Sequence, residues 1–111
     1  MPETTEKPVP QMSPQEAALL LNQGKIQLVD LRDDHERAIC KIPGATHISS
    51  THLEQRLGEL AKDKPVVFHC KGGGRATRAV KMLASRGMPS MNLTGGILGW
   101  IDAIDPKQTK Y

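Results

Sequence analysis

Aromatic residues are scarce in this chain: Phe68, Trp100 and Tyr111 are the whole set, 3% of 111 residues. That excludes the row of stacking rings with which proteins grip single-stranded nucleic acid, and it leaves the core to aliphatic side chains. Cysteine is equally sparse, with only Cys40 and Cys70. Two cysteines make no disulfide framework, and no CxxC, HxxxH or HExxH spacing joins them with His35, His47, His52 or His69. Neither a disulfide-stapled module nor a zinc site is expected, and no cofactor is implied. No stretch approaches eighteen consecutive apolar residues, and the first dozen residues, MPETTEKPVPQM, lack the charged-then-apolar pattern of a secretory signal. The expectation is a soluble, cytoplasmic protein that does not engage a membrane. What remains is an ordinary globular composition, 38% hydrophobic with ten glycines, at a length suited to a single domain.

A formal net charge of +3 is too small to suggest a nucleic-acid binder. Its distribution is uneven, however: residues 1–65 carry a net −2 and residues 66–111 a net +5. Between Lys71 and Arg86 stand Lys71, Arg75, Arg78, Lys81 and Arg86 with no acid among them. Such a run is ordinarily a solvated helix face, so an anion site there has to be argued on further grounds.

The chain alternates strand and helix signals. Residues 1–11 read as a flexible lead-in with a short edge strand near Val9 to Met12. A helix starts at Ser13, which can cap it; Pro14 suits its first position, Glu16 is placed to bond back to the cap, and Gly24 stops it. Ile26 to Asp30 reads as a buried strand, Asp33 to Ala38 as a short polar helix, and Thr46 to Ile48 as a brief strand. Leu53, Leu57 and Leu60 mark another helix. Val66-Val67-Phe68 is the strongest strand signal. The helix after it, Arg75 to Arg86 with Gly87 as its stop, packs Ala76, Ala79, Val80 and Leu83 on one face. Met91 to Leu93 and Ile97 to Ile104 supply a last strand and helix. The class is α/β with a mainly parallel sheet, one domain over residues 12–104 and a C-terminal tail at 105–111.

The chemistry concentrates where the strongest strand runs into Cys70-Lys71-Gly72-Gly73-Gly74-Arg75. In open parallel sheets, ligands gather at the carboxyl ends of strands, and a strand, glycine-rich loop and helix at that edge form an anion cradle. Three glycines let successive amide N–H groups converge on one point with no Cβ in the way. The same amides, the helix N-terminus and the charges of Lys71 and Arg75 favour a thiolate over a thiol. Cys70 is therefore the candidate nucleophile, with Lys71, Gly72, Gly73, Gly74 and Arg75 as the binding loop. His69 reads as a packing or orienting residue, since neighbours leaving a strand point to opposite sides.

CKGGGR between VVFH and an amphipathic helix resembles the active loop of the rhodanese-like family. Upstream, VDLRDDHERAICKIPGATHI is similar to the family segment in which D-x-R, a following Glu and an I-P-G-A turn recur, here Asp30, Arg32, Glu36 and Ile42 to Ala45. Downstream, LTGGILGW matches its closing G-G-x-x-x-W, here Gly95, Gly96 and Trp100. Resemblance covers about residues 12 to 103 and implies a five-stranded, mostly parallel sheet with helices on both faces. It also implies a sulfurtransferase of the single-domain thiosulfate type, passing sulfane sulfur through a Cys70 persulfide to cyanide, a thiol or a sulfur-carrier protein. Two departures stand out: Cys40-Lys41 occupies a place that is often Gly-His, and Arg37 one that is often aromatic. Cys40 reads as a small residue filling a glycine-sized place more readily than as a resolving thiol. Asp30, Arg32 and Glu36 read as a structural salt-bridge set, and Trp100 as core.

Two other functions fit parts of this pattern. A cysteine phosphatase or arsenate reductase also pairs a thiolate with a glycine loop and an arginine, but it encloses five residues between them where Cys70 and Arg75 enclose four. A relay module, loaded and unloaded by other proteins without its own turnover, would look identical in sequence to an enzyme.

Overall fold

The computed structural model describes residues 9–111. Five strands, β1 (Gln11–Met12), β2 (Gln27–Asp30), β3 (Thr46–His47), β4 (Val66–His69) and β5 (Met91–Leu93), form one sheet in the order β1-β5-β4-β2-β3. All four strand pairings are parallel. Most of the lead-in expected at 1–11 lies outside the described residues; Gln11, its last residue, already belongs to β1, paired with Asn92.

Helices cover both faces. Strand side chains alternate between them, as a two-residue period requires. Val29, Val66 and Phe68 point to a layer built by Leu53, Ala76, Val80 and Leu83, whereas Leu28, Val67 and Leu93 meet Ala17, Ile97, Trp100 and Ile101. The first layer comes from α3 (Gly74–Ala84) and the 3₁₀ segment Ser50–Glu59, the second from α1 (Pro14–Asn22) and α4 (Gly96–Ala103). Burying each large aliphatic side chain contributes roughly 1.5–3 kcal/mol, and Leu28, Leu31, Ile48, Leu93, Ile97 and Ile101 are each at most 1% exposed. Among the described residues no helix is long and apolar enough to cross a membrane.

Local signals account for the element ends. The Ser13 hydroxyl accepts the Glu16 N–H at 3.1 Å and starts α1, which ends at Asn22, just before Gly24. The helix expected from Leu53, Leu57 and Leu60 is instead a 3₁₀ segment, broken at Arg56 (φ −121°, ψ 22°). Leucines at three- and four-residue spacings suit either winding, and the tighter one forms here. The short helix α2 (Asp34–Ile39) begins one residue later than its polar pattern suggests, because Asp33 is its N-cap.

Register decides where the chemistry sits. Asp30 lies beside His47 on one side and His69 on the other, so the carboxyl ends of β2, β3 and β4 meet at one edge. Cys70 is the next residue along.

Candidate active site

Cys70 leaves β4 in the core, 1% exposed, and the chain turns at once through the glycine loop into α3. The Gly73 N–H donates to Cys70 Sγ at 3.1 Å. That approach depends on Gly73 at φ +123°, a conformation L side chains rarely adopt. Lys71, Gly72 and Gly74 are exposed around this turn. The geometry supplies a thiol at the floor of a loop whose amide already points at sulfur, the arrangement that stabilises negative charge there.

The loop is held from two directions. On one side the Arg75 guanidinium grips Glu36 through both nitrogens, Nη1 to Oε1 at 2.7 Å and Nη2 to Oε2 at 3.0 Å. Glu36 Oε1 also accepts the Asp33 N–H at 3.0 Å. The Arg75 guanidinium, aided by that amide and against the effect of burial, holds the Glu36 carboxyl at about 2. On the other side, the start of α4 donates into the loop: Ile97 N–H to Cys70 O at 2.9 Å and Leu98 N–H to Lys71 O at 3.3 Å. In the sequence Gly95 and Gly96 stand out only as part of the G-G-x-x-x-W pattern. That pattern carries no mark of the contact with Cys70, which only the fold makes.

Asp30 and Arg32 form a separate, fully buried pair. Arg32 Nε and Nη2 reach the two Asp30 oxygens at 3.1 and 3.0 Å, and Nη2 also donates to Cys40 O at 2.7 Å. The expected trio is therefore split: Asp30 and Arg32 tie β2 to the end of α2, whereas Glu36 ties α2 to the active loop. Cys40 is buried with a free thiol, its Sγ 3.7 Å from Arg32 Nη1. Arg37 adds a second guanidinium 3.4 Å from Asp30. Asp33, His35 and Glu36 bring ligand atoms within 4.8 Å of one another, but both Glu36 oxygens are already bonded to Arg75.

His69 lies under this network, fully buried, with Nε2 3.8 Å from Asp30 Oδ2 and Nδ1 3.4 Å from Cys70 O. Burial pushes its pKa down to about 4, although Asp30 pulls the other way. Burial also opposes ionisation of Asp30, but the charges of His69, when protonated, and of Arg32 outweigh it, and the carboxyl titrates below its ordinary range. The His69 shift sets a pH dependence of stability. As pH falls from about 6.5 to about 4, unfolded chains take up a proton that the native ring refuses, so stability is lost across that window, on the order of 3 kcal/mol at most. Loss through Glu36 comes lower, between about 4.5 and 2. Urea midpoints measured from pH 7 to 4 should fall more steeply for the parent than for His69→Gln. Parallel curves would remove His69 as the cause.

A groove of about 580 Å³, lined by Leu60, Pro65, Leu83, Met88 and Pro89 among others, opens at the opposite edge, near the starts of β4 and β5. It has no part in the chemistry at Cys70.

The model of the rhodanese-like domain matches residues 13–103. Thiosulfate sulfurtransferase GlpE of Haemophilus influenzae is 32% identical over 106 residues, 94% of this chain and 99% of that protein. A sulfurtransferase of Allochromatium vinosum is 36% identical over 76 residues, 68% of this chain and 71% of its own length. Among solved structures, a rhodanese-like domain protein from Staphylococcus aureus superposes with a TM-score of 0.75 at 29% identity, covering 83% of this chain and 91% of that one.

Proposed function

The chain belongs to the rhodanese-like domain family, and from that membership we propose that it is a cytoplasmic sulfurtransferase using Cys70 as a persulfide carrier. The Cys70 thiolate attacks the outer sulfur of thiosulfate. A sulfur–sulfur bond to Cys70 forms, the bond from the outer sulfur to the sulfite group breaks, and sulfite leaves with the electron pair. Cyanide, a thiol or a sulfur-carrier protein then takes the terminal sulfur and returns the thiolate. One observation carries this reading: the Gly73 N–H aimed at Cys70 Sγ at 3.1 Å within a loop braced at both ends.

Residue roles follow from position. The loop amides from Lys71 to Arg75 hold the terminal sulfur of the persulfide, where donors aimed at developing charge matter most. Arg75 keeps its guanidinium on Glu36 and contributes by fixing the loop. Lys71, exposed at the first loop position, meets the anionic donor. Four residues between Cys70 and Arg75 make a cradle sized for one sulfur atom, which disfavours a tetrahedral oxyanion and hence the phosphatase reading.

Intact mass after incubation with thiosulfate is the direct test. We expect a gain of one sulfur, about 32 Da, that disappears on adding cyanide with release of thiocyanate. No gain with thiosulfate would remove it as donor. A gain that cyanide does not discharge would argue for a relay module rather than a turnover enzyme.

A further inference from the structure

Residues 105–111, a featureless tail in the sequence, are tied down along α2 in the structure. Gln108 clamps the backbone of Lys41 in both directions: its Oε1 accepts the Lys41 N–H at 3.0 Å and its Nε2 donates to Lys41 O at 2.9 Å. The same Nε2 donates to Asp105 Oδ2 at 2.9 Å, and Lys110 pairs with Asp102. Lys41 lies just beyond α2 and His35 in its first turn. Pinned at Lys41, the segment runs back along α2 and sets the Tyr111 ring edge-on to His35, with centroids 6.3 Å apart and planes at 79°. On that ring rests the ammonium of Lys71, 4.6 Å from the centroid.

From this arrangement we infer that Tyr111 is a positioning residue for the anionic sulfur donor, acting through Lys71, with Gln108 as the pin that holds it in place. The inference rests on the sulfurtransferase reading above. Lys71 is an exposed side chain with four rotatable bonds, and unanchored it would spread its charge over many rotamers. A ring face within about 6 Å attracts an ammonium without neutralising it, as a carboxylate would. The ring therefore restrains the side chain of the residue that directly follows Cys70. Arg75 offers the contrast: its charge is committed to Glu36, which leaves Lys71 as the loop cation able to recruit a dianion. His35 also contacts the ring, so the aromatic contact is itself supported.

The test is persulfide formation on the full chain, followed by mass across a thiosulfate titration, with half-saturation and limiting rate read separately. Lys71→Ala should raise the half-saturating concentration about tenfold with the limiting rate little changed. Tyr111→Ala should raise it about two- to five-fold, as expected for an exposed cation–π contact, and Tyr111→Phe should restore it. Gln108→Ala should reproduce Tyr111→Ala despite touching neither the donor nor Lys71. In a Lys71→Ala background, Tyr111→Ala should add nothing, because the two act as one unit. Independently of activity, the Lys71 ε-methylene protons should show an upfield ring-current shift that is lost in Tyr111→Ala and Gln108→Ala and kept in Tyr111→Phe. An equal increment from Tyr111→Ala with or without Lys71 would overturn the inference. So would an unchanged half-saturation in Tyr111→Ala when the ring-current shift is gone. Failure of the parent to take up sulfur would instead defeat the underlying sulfurtransferase reading.

Discussion

Cys70→Ser is expected to lower thiosulfate:cyanide sulfur transfer to below about 1% of the parent and to abolish the 32 Da gain, while leaving the fold intact. Serine is close in size, so the packing of a residue only 1% exposed is nearly preserved, and the Gly73 N–H can still donate to the new oxygen. What is lost is ionisation: the hydroxyl stays protonated at neutral pH, and oxygen does not form the persulfide. An unchanged thermal midpoint alongside lost activity separates chemistry from unfolding. Residual turnover well above that level would remove Cys70 as the nucleophile. Cys40→Ser is the companion variant and should lose far less than tenfold, since that thiol packs against Arg32 at 3.7 Å and its carbonyl, which Arg32 also holds, is retained. A loss of more than tenfold in Cys40→Ser, or a Cys40–Cys70 disulfide under mild oxidation, would overturn the reading of Cys40 as a space-filling residue.

How much of this was legible beforehand depended on distance along the chain. Strand, CKGGGR and helix are contiguous, so residues 66–84 could be read directly as a nucleophile on an anion-binding loop. The Ser13 cap and the α1 end before Gly24 are likewise local. The partners of Glu36 and Arg32 are not readable locally, because Glu36, four residues from one guanidinium and 39 from another, carries no mark of which it will meet. Burial at the sheet edge decided it: Asp30, one strand position from Leu31, took Arg32, and α2 turned Glu36 toward Arg75. The bracing from α4 and the clamp of Gln108 on Lys41, 67 residues apart, were invisible for the same reason. Nothing local marks Tyr111 as a partner of Lys71, 40 residues earlier; only the fold brings the two together. The 3₁₀ winding of Ser50–Glu59 is unreadable on other grounds, since leucine spacing fixes the buried face without fixing the pitch.

The other large effect is expected at Gly96, which makes no contact with a donor. A Cβ there would stand 2.4 Å from Lys71 O and 2.8 Å from Cys70 O, and the residue sits at φ +60°. Both obstacles are backbone, so no side chain can move aside to make room. Gly96→Ala must therefore push the start of α4 away from the loop, stretching the bonds from Ile97 to Cys70 O and from Leu98 to Lys71 O. Displacing a reacting group by about 1 Å commonly costs on the order of 100-fold in rate, and the strained backbone should cost a further 1–3 kcal/mol of stability. The variant should consequently show a clear fall in persulfide formation per folded molecule, measured below its lowered thermal midpoint. Gly58→Ala is the matched control, with nothing within 4 Å of the added carbon, and should behave as the parent. If Gly96→Ala loaded sulfur at the parental rate while folded, α4 could not be what holds Cys70 and Lys71 in register, and Glu36 with Arg75 would have to brace the loop alone.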